Sequence, residues 1–181
     1  ATINGNVTAH SLSLASYTNI ENATLTGSSA LNLTGNTSAN VLTGNAGANT
    51  IVGGGGADTF DGGGCLDTMT GGSGVDHYNI TTAPSASDNV TITNFVATAG
   101  GDVLDIHSIL SGYTNGVSTN TDFVHITTSG SDAIVSVDAD GAANGANYVQ
   151  VALLTGQSAL AGTEDALVTS GALFLGENRT Y

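Results

Sequence analysis

A nine-residue repeat constrains this chain more than any other feature. Residues 35–79 divide into five successive nine-residue repeats, which read GNTSANVLT, GNAGANTIV, GGGGADTFD, GGGCLDTMT and GGSGVDHYN. The first position is always glycine, the sixth is Asn or Asp, and the eighth is apolar or aromatic. Glycine richness alone would not keep three chemical classes in phase over such a stretch. The sixth positions are Asn40, Asn49, Asp58, Asp67 and Asp76, and the eighth are Leu42, Ile51, Phe60, Met69 and Tyr78.

Each repeat predicts a tight turn followed by a very short strand. Glycine permits the left-handed backbone angles that such a turn needs, and the eighth side chain fills a thin core. Two repeats form one coil, so repeats i and i+2 stack on the same edge about 4.8 Å apart. Stacked carboxylates repel unless a cation lies between them, and Ca²⁺ accepts ~6–8 oxygen ligands in a tolerant geometry. The sequence therefore predicts an all-β parallel β-roll, or β-solenoid, that binds several Ca²⁺ ions.

The pattern Gly-Gly-x-Gly-x-Asp-x-apolar-x resembles the repeats-in-toxin (RTX) family of calcium-binding β-rolls. In that family, turn carbonyls and the sixth-position Asp bind Ca²⁺ between neighbouring coils. The resemblance implies that Asp58 and Asp76 are ligands on one edge and that Asp67 is a ligand on the other. It also implies contributions from turn carbonyls, which would belong to Gly53, Gly55, Gly62, Gly64, Gly71 and Ser73.

Some positions depart from the family pattern. Asn40 and Asn49 replace Asp, so we expect their sites to be weaker or to be filled by side-chain amide hydrogen bonds instead of metal. Asn49 is kept as a weaker candidate ligand. Cys65 stands where glycine is expected, and Asp61 adds a carboxylate in a strand position, so both make these turns less regular. Beyond the repeats, two interpretations stay open: Asp102 and Asp105 complete the metal site of the last coil, or Asp102 only caps a turn.

The segments on either side of the repeats divide the chain into three predicted parts. Residues 1–34 read as a degenerate solenoid lead-in, residues 35–79 as the RTX β-roll, and residues 80–181 as a β-rich C-terminal cap. The lead-in's candidate core residues are Val7, Leu12, Leu14, Ile20 and Leu25. In the cap we predict strands at 90–92, 102–106, 123–126, 133–137 and 148–151, a helical turn at 107–110 and a short helix at 163–168.

Charge and residue usage exclude several functions. The net charge is −14, with 15 acidic residues against one basic residue, Arg179. Binding to nucleic acid or to an anionic membrane needs clustered Lys and Arg, so we expect neither. No apolar run approaches the ~20 residues of a spanning helix, and the single cysteine excludes an internal disulfide.

We find no catalytic constellation in the sequence, and we predict that the chain is not an enzyme. No two histidines share a short metal-ligand spacing, and Cys65 has no activating base nearby in the sequence. Residues 138–141 lack the later glutamate of a calcium loop, so a polar hairpin turn is the favoured interpretation, although an isolated extra site stays open. The histidines are His10, His77, His107 and His125.

The region from Thr93-Asn94-Phe95 to Asp138-Ala139-Asp140-Gly141 resembles the C-terminal part of RTX adhesins and surface-layer proteins that leave bacteria by type I secretion. The resemblance implies a secreted, extracellular or cell-surface protein whose partners are Ca²⁺, the type I secretion machinery, and copies of itself or cell-surface polysaccharide. Two alternatives stay open, a calcium-binding secretion tail of an RTX protease or lipase, and a self-assembling filament or lattice subunit. Because the first residues lack Met and an export signal, we expect a mature chain or, more readily, a fragment.

Overall fold

Two β-sheets form the two faces of a coil in the computed structural model, which describes residues 2–4, 11–83, 85, 87–111, 113, 120–141 and 145–176. The first sheet contains, in order, β1 (Thr2–Asn4), β3 (Asn22–Thr24), β5 (Val41–Thr43), β7 (Thr59–Asp61), β9 (His77–Asn79), β11 (Val103–Asp105) and β15 (Leu173–Phe174). The second contains, in order, β2 (Leu12–Ser13), β4 (Asn32–Thr34), β6 (Thr50–Gly55), β8 (Asp67–Ser73), β10 (Val90–Thr93), β14 (Val149–Leu154), β13 (Asp132–Val137) and β12 (Val124–Ser129).

The strands of successive coils pair in parallel, one coil directly above the next. β5 pairs with β7 so that Leu42 lies opposite Phe60, and β6 pairs with β8 so that Ile51 lies opposite Met69. Each partner is two repeats further along the chain, which is the predicted stacking of repeats i and i+2. The predicted parallel β-solenoid is therefore confirmed.

The core is a single file of side chains between the two sheets. All five eighth-position residues, from Leu42 to Tyr78, are completely buried. The rings of Phe60 and Tyr78 stack with centroids 5.0 Å apart, because their strands are neighbours in the first sheet. One apolar side chain per repeat therefore forms a continuous but thin core.

The lead-in contributes to the same core. Leu14 and Leu25 are buried, and Leu12 and Ile20 are partly buried against the core, as predicted. Val7, the remaining candidate, lies outside the described residues.

The turns of the three Asp-containing repeats share a left-handed backbone at their second and fourth positions. In the repeat that begins at Gly53, φ is +109° at Gly54 and +98° at Gly56. Cys65 lies at the fourth position of the next repeat and adopts φ +78°. It therefore has the left-handed backbone conformation that glycine has at this position in the other two repeats. The turn geometry is therefore preserved at the position where the sequence departs from the family pattern.

The C-terminal part extends both sheets and adds an antiparallel unit. β10 pairs in parallel with β8, and β11 pairs in parallel with β9, while β12, β13 and β14 form antiparallel pairs. Single turns of 3₁₀-helix cover His107–Ile109 and Ser158–Leu160, and two short helices are α1 (Asn120–Phe123) and α2 (Glu164–Ser170).

Every predicted cap element has a counterpart, with one correction, while α1, the 3₁₀ turn at Ser158–Leu160 and β15 were not predicted. The strand predicted at 123–126 begins at Val124, because Phe123 ends α1 and packs its buried ring against Gly141 and Tyr113. The outer strand β12 is covered at Ile126, whose N–H donates to Glu164 Oε1 at 2.6 Å and whose carbonyl accepts from Gly162 N–H at 3.1 Å. A covered edge strand cannot recruit a further strand at this point.

The domain limits given above stay a prediction. Within the described residues, no helix is long and apolar enough to cross a membrane.

The first-position glycines lie where a side chain would collide with the turn. A Cβ at Gly62 would lie 2.2 Å from Asp67 Oδ2 and 2.8 Å from Met69 Cε. In the same turn, a Cβ at Gly64 would meet one described atom, Asp88 Oδ1, at an ordinary 3.6 Å. The two glycines therefore form a matched pair for a stability test.

We predict that Gly62→Ala lowers the free energy of unfolding by about 1–3 kcal/mol, because the methyl group forces the buried Asp67 and Met69 side chains apart. Gly64→Ala is expected to change it by less than about 0.5 kcal/mol. Thermal and urea unfolding in calcium-containing buffer measure both values. Equal effects of the two substitutions would contradict this description of the turn.

Candidate metal centre

The sixth-position side chains of alternate repeats form a ladder on one edge of the roll. We call this edge the first turn row, which consists of the turns at 35–40, 53–58, 71–76 and 94–102. Asp58 Oδ1 accepts a hydrogen bond from Asn40 N–H at 2.8 Å, and Asp76 Oδ1 accepts one from Asp58 N–H at 2.9 Å. Each side chain therefore binds the main chain one coil earlier, and the carboxylates of successive coils lie directly above one another.

Asp102 continues this ladder although the nine-residue period has ended. It follows Asp76 by 26 positions, yet its Oδ1 accepts from Asp76 N–H at 2.9 Å. Its Oδ2 accepts from Val96 N–H at 2.9 Å, so both oxygens are held by the protein. The structure thus places Asp102 in the ladder and also makes it a turn cap, while its role as a metal ligand stays a prediction.

Two buried carboxylate oxygens in this row lack any partner. Asp58 and Asp76 are 0% and 1% exposed, and within the described residues their Oδ2 atoms accept no hydrogen bond. A Cβ added at Gly53 would lie 2.2 Å from Asp58 Oδ2 and 2.6 Å from the Gly71 carbonyl oxygen. An anionic oxygen and a carbonyl oxygen therefore converge beside this glycine. A buried charge without a partner is unfavourable, and this donor set is the one that Ca²⁺ prefers.

The predicted carbonyl ligands fall into two groups. The carbonyl oxygens of Gly53 and Gly62 point toward Gly35 and Gly44 of the preceding coils, as that of Gly71 points toward Gly53. These first-position carbonyls therefore line the interior of the turns. The third-position residues lie in the same turns, and their carbonyls stay predicted ligands; they are Gly55, Gly64 and Ser73.

The second turn row, at 44–49 and 62–67, carries the other candidates. Asp67 is 3% exposed, and its Oδ1 accepts from Asn49 N–H at 2.8 Å. The residue in register with Asp67 in the next coil is Val90, so this ladder ends on an apolar side chain. Asp88 instead accepts a hydrogen bond from Cys65 N–H at 2.5 Å. The sequence did not indicate Asp88, because the segment before β10 has no repeat register.

In the Asn-containing turns the equivalent side-chain oxygen has a partner, since Asn40 Oδ1 accepts a hydrogen bond from Asn36 N–H at 2.8 Å. Asn36 Nδ2 donates to the carbonyls of Tyr17 and Ile20 at 2.8 and 3.0 Å, and Asn45 makes the equivalent pair of bonds to the lead-in. Asn49 donates through Nδ2 to Leu31 O at 3.0 Å and accepts through Oδ1 from Asn45 N–H at 2.8 Å. The expectation that amide hydrogen bonds fill these turns is confirmed; metal ligation by Asn49 stays a prediction.

Burial dominates the electrostatics of the ladder. The pKa of Asp58 is raised to about 6 and that of Asp67 to about 7, mainly by burial and also by neighbouring carboxylates, while main-chain hydrogen bonds oppose the shift. The pKa of Asp76 is raised for the same reasons, with Asp102 as its charged neighbour. The chain has one basic side chain of the Lys or Arg type, Arg179, which lies outside the described residues. An external cation is therefore the natural source of compensating charge.

Side chains alone do not form a complete metal site. Among the described residues, no three His, Cys, Asp or Glu side chains converge closely enough to hold an ion. A cation in the turns would thus depend on main-chain oxygens for much of its coordination, which is consistent with the sequence interpretation. Asp61 is engaged elsewhere, since its carboxylate accepts from Thr81 Oγ1 at 3.0 Å and from Gly63 N–H at 2.9 Å.

The remaining candidates lie away from the ladders. His107 Nδ1 lies 2.5 Å from Asp105 Oδ1 on the outer face of the first sheet, and His125 packs on Tyr148 in the cap. His77 is half-buried in β9, and His10 lies outside the described residues. Residues 138–141 form a turn in which Gly141 N–H donates to Asp138 O, as expected for a polar hairpin.

Comparison with known proteins agrees with this geometry. Residues 34–64 and 43–78 match the model of the RTX calcium-binding nonapeptide repeat (4 copies), so this segment consists of RTX calcium-binding repeats. A search of curated proteins found no match.

Two solved structures share the fold, and both are subunits of the mannuronan C5-epimerase of Azotobacter vinelandii. The AlgE6R2 subunit is 23% identical, with a TM-score of 0.58 over 86% of this chain and 94% of that one. The AlgE6R3 subunit is 19% identical, with a TM-score of 0.52 over 95% of this chain and 81% of that one. At these identities the likeness shows the β-solenoid fold.

The raised carboxyl pKa values predict opposite pH dependences with and without calcium. Without divalent cations, the folded state holds protons on Asp58 and Asp67 up to about pH 6–7, whereas the unfolded chain releases them near pH ~4. Stability is then greatest below about pH 4 and falls as the pH rises to about 7. With Ca²⁺ bound, the ionised form is the bound form, so acidification through the same range releases the ion and lowers stability.

Melting temperatures recorded from about pH 8 down to about pH 5 test this prediction. In buffer stripped of divalent cations, the melting temperature should rise as the pH falls. In about 10 mM Ca²⁺, above the affinity range of extracellular modules, it should fall. The same slope in both buffers would show that these carboxylates do not bind the ion.

Proposed function

We propose that this chain is a non-enzymatic, calcium-dependent structural module of a secreted bacterial cell-surface protein. The observation that carries the proposal is the pair of buried oxygens at Asp58 and Asp76, which have no partner among the described residues, in stacked RTX repeats where the Gly71 carbonyl lies beside the Asp58 oxygen. A roll with these groups is poorly stable without a cation. Ca²⁺ supplies the positive charge and a bridge between successive turns.

Metal binding and folding are coupled in this proposal. Each repeat contributes one fully buried eighth-position side chain, which is little apolar burial against a backbone entropy of ~1–2 kcal/mol per residue. The carboxylates add mutual repulsion. The repeats therefore stay unfolded at low cytosolic Ca²⁺, pass through the type I secretion machinery, and fold outside the cell where Ca²⁺ is near ~10⁻³ M.

The cell-surface assignment is supported by the sequence of the C-terminal part. Its order of motifs resembles the same region of RTX adhesins and surface-layer proteins, in which the roll follows an extended portion of the chain. Cell-surface polysaccharide and further copies of the chain are the partners that such a role implies.

A module of a secreted enzyme is the second candidate. The two solved structures compared above are subunits of an epimerase, and RTX repeats also follow protease and lipase domains. In that case the catalytic groups would belong to another part of the protein. Determining the sequence of the full gene product distinguishes the candidates, because a catalytic domain joined to this chain would favour the enzyme module.

A filament or lattice subunit is the third candidate, and it differs from the others in its assembly. Light scattering at micromolar protein concentration, with and without Ca²⁺, tests it. Calcium-dependent growth of large particles would support self-assembly, and a constant molecular mass would argue for an attached module.

The coupling of folding to Ca²⁺ is tested by removing the ion and then the ligands. We predict that chelation with EGTA lowers the β-sheet circular dichroism signal and the melting temperature. Restoring Ca²⁺ at about one hundred times its dissociation constant should stabilise the fold by about 2.7 kcal/mol per site. The double variant Asp58→Asn/Asp76→Asn should lose most of this gain, because an amide cannot replace the anionic ligand.

Asp122→Asn is the matched control, because Asp122 is an exposed carboxylate in α1, away from both turn rows. It removes one charge and should leave the calcium-dependent gain intact. An unchanged circular dichroism signal and melting temperature in EGTA would contradict the proposed function.

A further inference from the structure

Tyr78 is the one eighth-position residue of the five repeats that carries a polar atom. The others are Leu42, Ile51, Phe60 and Met69, which need no hydrogen-bond partner. Tyr78 is completely buried, and within the described residues its hydroxyl oxygen has no hydrogen-bond partner. A buried hydroxyl without a partner destabilises a core relative to phenylalanine. The hydroxyl lies near the Gly71 main chain but makes no hydrogen bond of standard geometry with it, so it can accept a further partner.

The hydroxyl points into the first turn row and not into the apolar core. A Cβ added at Gly71 would lie 2.5 Å from Tyr78 Oη and 2.0 Å from Asp76 Oδ2. The two unpartnered oxygens therefore flank the same glycine and face a common space in the turn 71–76. A single cation beside Gly71 would satisfy both oxygens at once, because Ca²⁺ binds oxygen at ~2.3–2.6 Å.

The ring that carries this hydroxyl is held firmly. It stacks on Phe60 with centroids 5.0 Å apart and packs at an angle on Phe95 with centroids 5.9 Å apart. The hydroxyl is thus positioned by the core before any ion binds. Burial and the nearby carboxylates of Asp102 and Asp76 raise the pKa of Tyr78, while an interaction with the Gly71 main chain lowers it.

The neighbouring coil offers the same geometry without the hydroxyl. Phe60 Cζ lies 2.8 Å from the Cβ position of Gly53, and Asp58 Oδ2 lies 2.2 Å from that position. Phe60 and Tyr78 are directly in register in the first sheet. The second oxygen beside Gly53 is the Gly71 carbonyl at 2.6 Å, whereas beside Gly71 it is the Tyr78 hydroxyl at 2.5 Å.

We propose that the Tyr78 hydroxyl is an additional neutral oxygen ligand of the cation site in the turn 71–76, beside Asp76. The inference rests on the proposed function, since it assigns a further residue to one of the calcium sites. The ligand is held in place by the packing of its ring before the ion binds, and a neutral phenol adds no negative charge to the site.

Tyr78→Phe and the reciprocal Phe60→Tyr test the proposal in the full 181-residue chain. We expect Tyr78→Phe to weaken one calcium site about three- to tenfold, the effect of one lost polar interaction. Phe60→Tyr should strengthen one site by a similar factor. Isothermal titration with CaCl₂ measures both, and Tyr17→Phe, at an exposed tyrosine of the lead-in, is the control.

Melting without divalent cations separates ligation from packing. If the hydroxyl binds the ion, Tyr78→Phe should melt at the same or a higher temperature than the unmodified chain in chelator, and at a lower temperature in Ca²⁺. The same shift in both buffers, or an unchanged calcium affinity of Tyr78→Phe, would overturn the proposal. Should Tyr78→Phe fail to fold, Phe60→Tyr decides, because no gain in affinity would equally overturn it. An unmodified chain that binds no Ca²⁺ would instead overturn the proposed function itself, and the role of Tyr78 with it.

Discussion

The mutual repulsion of carboxylates stacked in register is the constraint on which the rest of this structure depends. A solenoid with a nine-residue period places every sixth side chain directly above its counterpart two repeats earlier, about one strand spacing of 4.8 Å away. In this chain those side chains are buried, and main-chain N–H groups bind one oxygen of each carboxylate. Among the described residues, the second carboxylate oxygen of Asp58 and of Asp76 has no hydrogen-bond partner. That oxygen lies beside the first-position glycine of its own turn, so no side chain fits there. Its buried charge creates the need for a cation.

The roll satisfies this constraint in two ways along its length. In the turns at 35–40 and 44–49, asparagine amides bridge to carbonyls of the preceding coil, so the protein supplies its own cross-links. In the turns at 53–58 and 71–76, aspartates leave an anionic oxygen without a partner. The change from Asn to Asp, which coincides with left-handed second and fourth positions in the turns, therefore divides the roll into coils that are held internally and coils that need an ion. The antiparallel strands of the C-terminal part then end the second sheet with a covered edge at Ile126.

Much of the repeat region could be predicted because its period fixes three things together. Glycine, acid and apolar side chain in constant phase determine the turn, the ladder and the core, and the pairing of Leu42 with Phe60 follows directly. The features that sequence reasoning missed lie where the period ends. Asp88 approaches Cys65 through a segment without register, and Val90 replaces the acid that would continue the second turn row. Tyr78 was assigned to the core, since its apolar ring fits the pattern; that its hydroxyl reaches Gly71 depends on a side-chain direction that spacing does not encode.

A crystal structure of the chain grown in millimolar Ca²⁺, with anomalous scattering collected at long wavelength, tests the central claim most directly. The account predicts anomalous peaks beside the Oδ2 atoms of Asp58 and Asp76, bridged to the carbonyls of the first-position glycines. It also predicts weaker peaks or none in the turns at 35–40 and 44–49, where asparagine side chains make hydrogen bonds to the main chain. Turns at 53–58 and 71–76 that hold no ion under these conditions, with both carboxylates still buried, would contradict it.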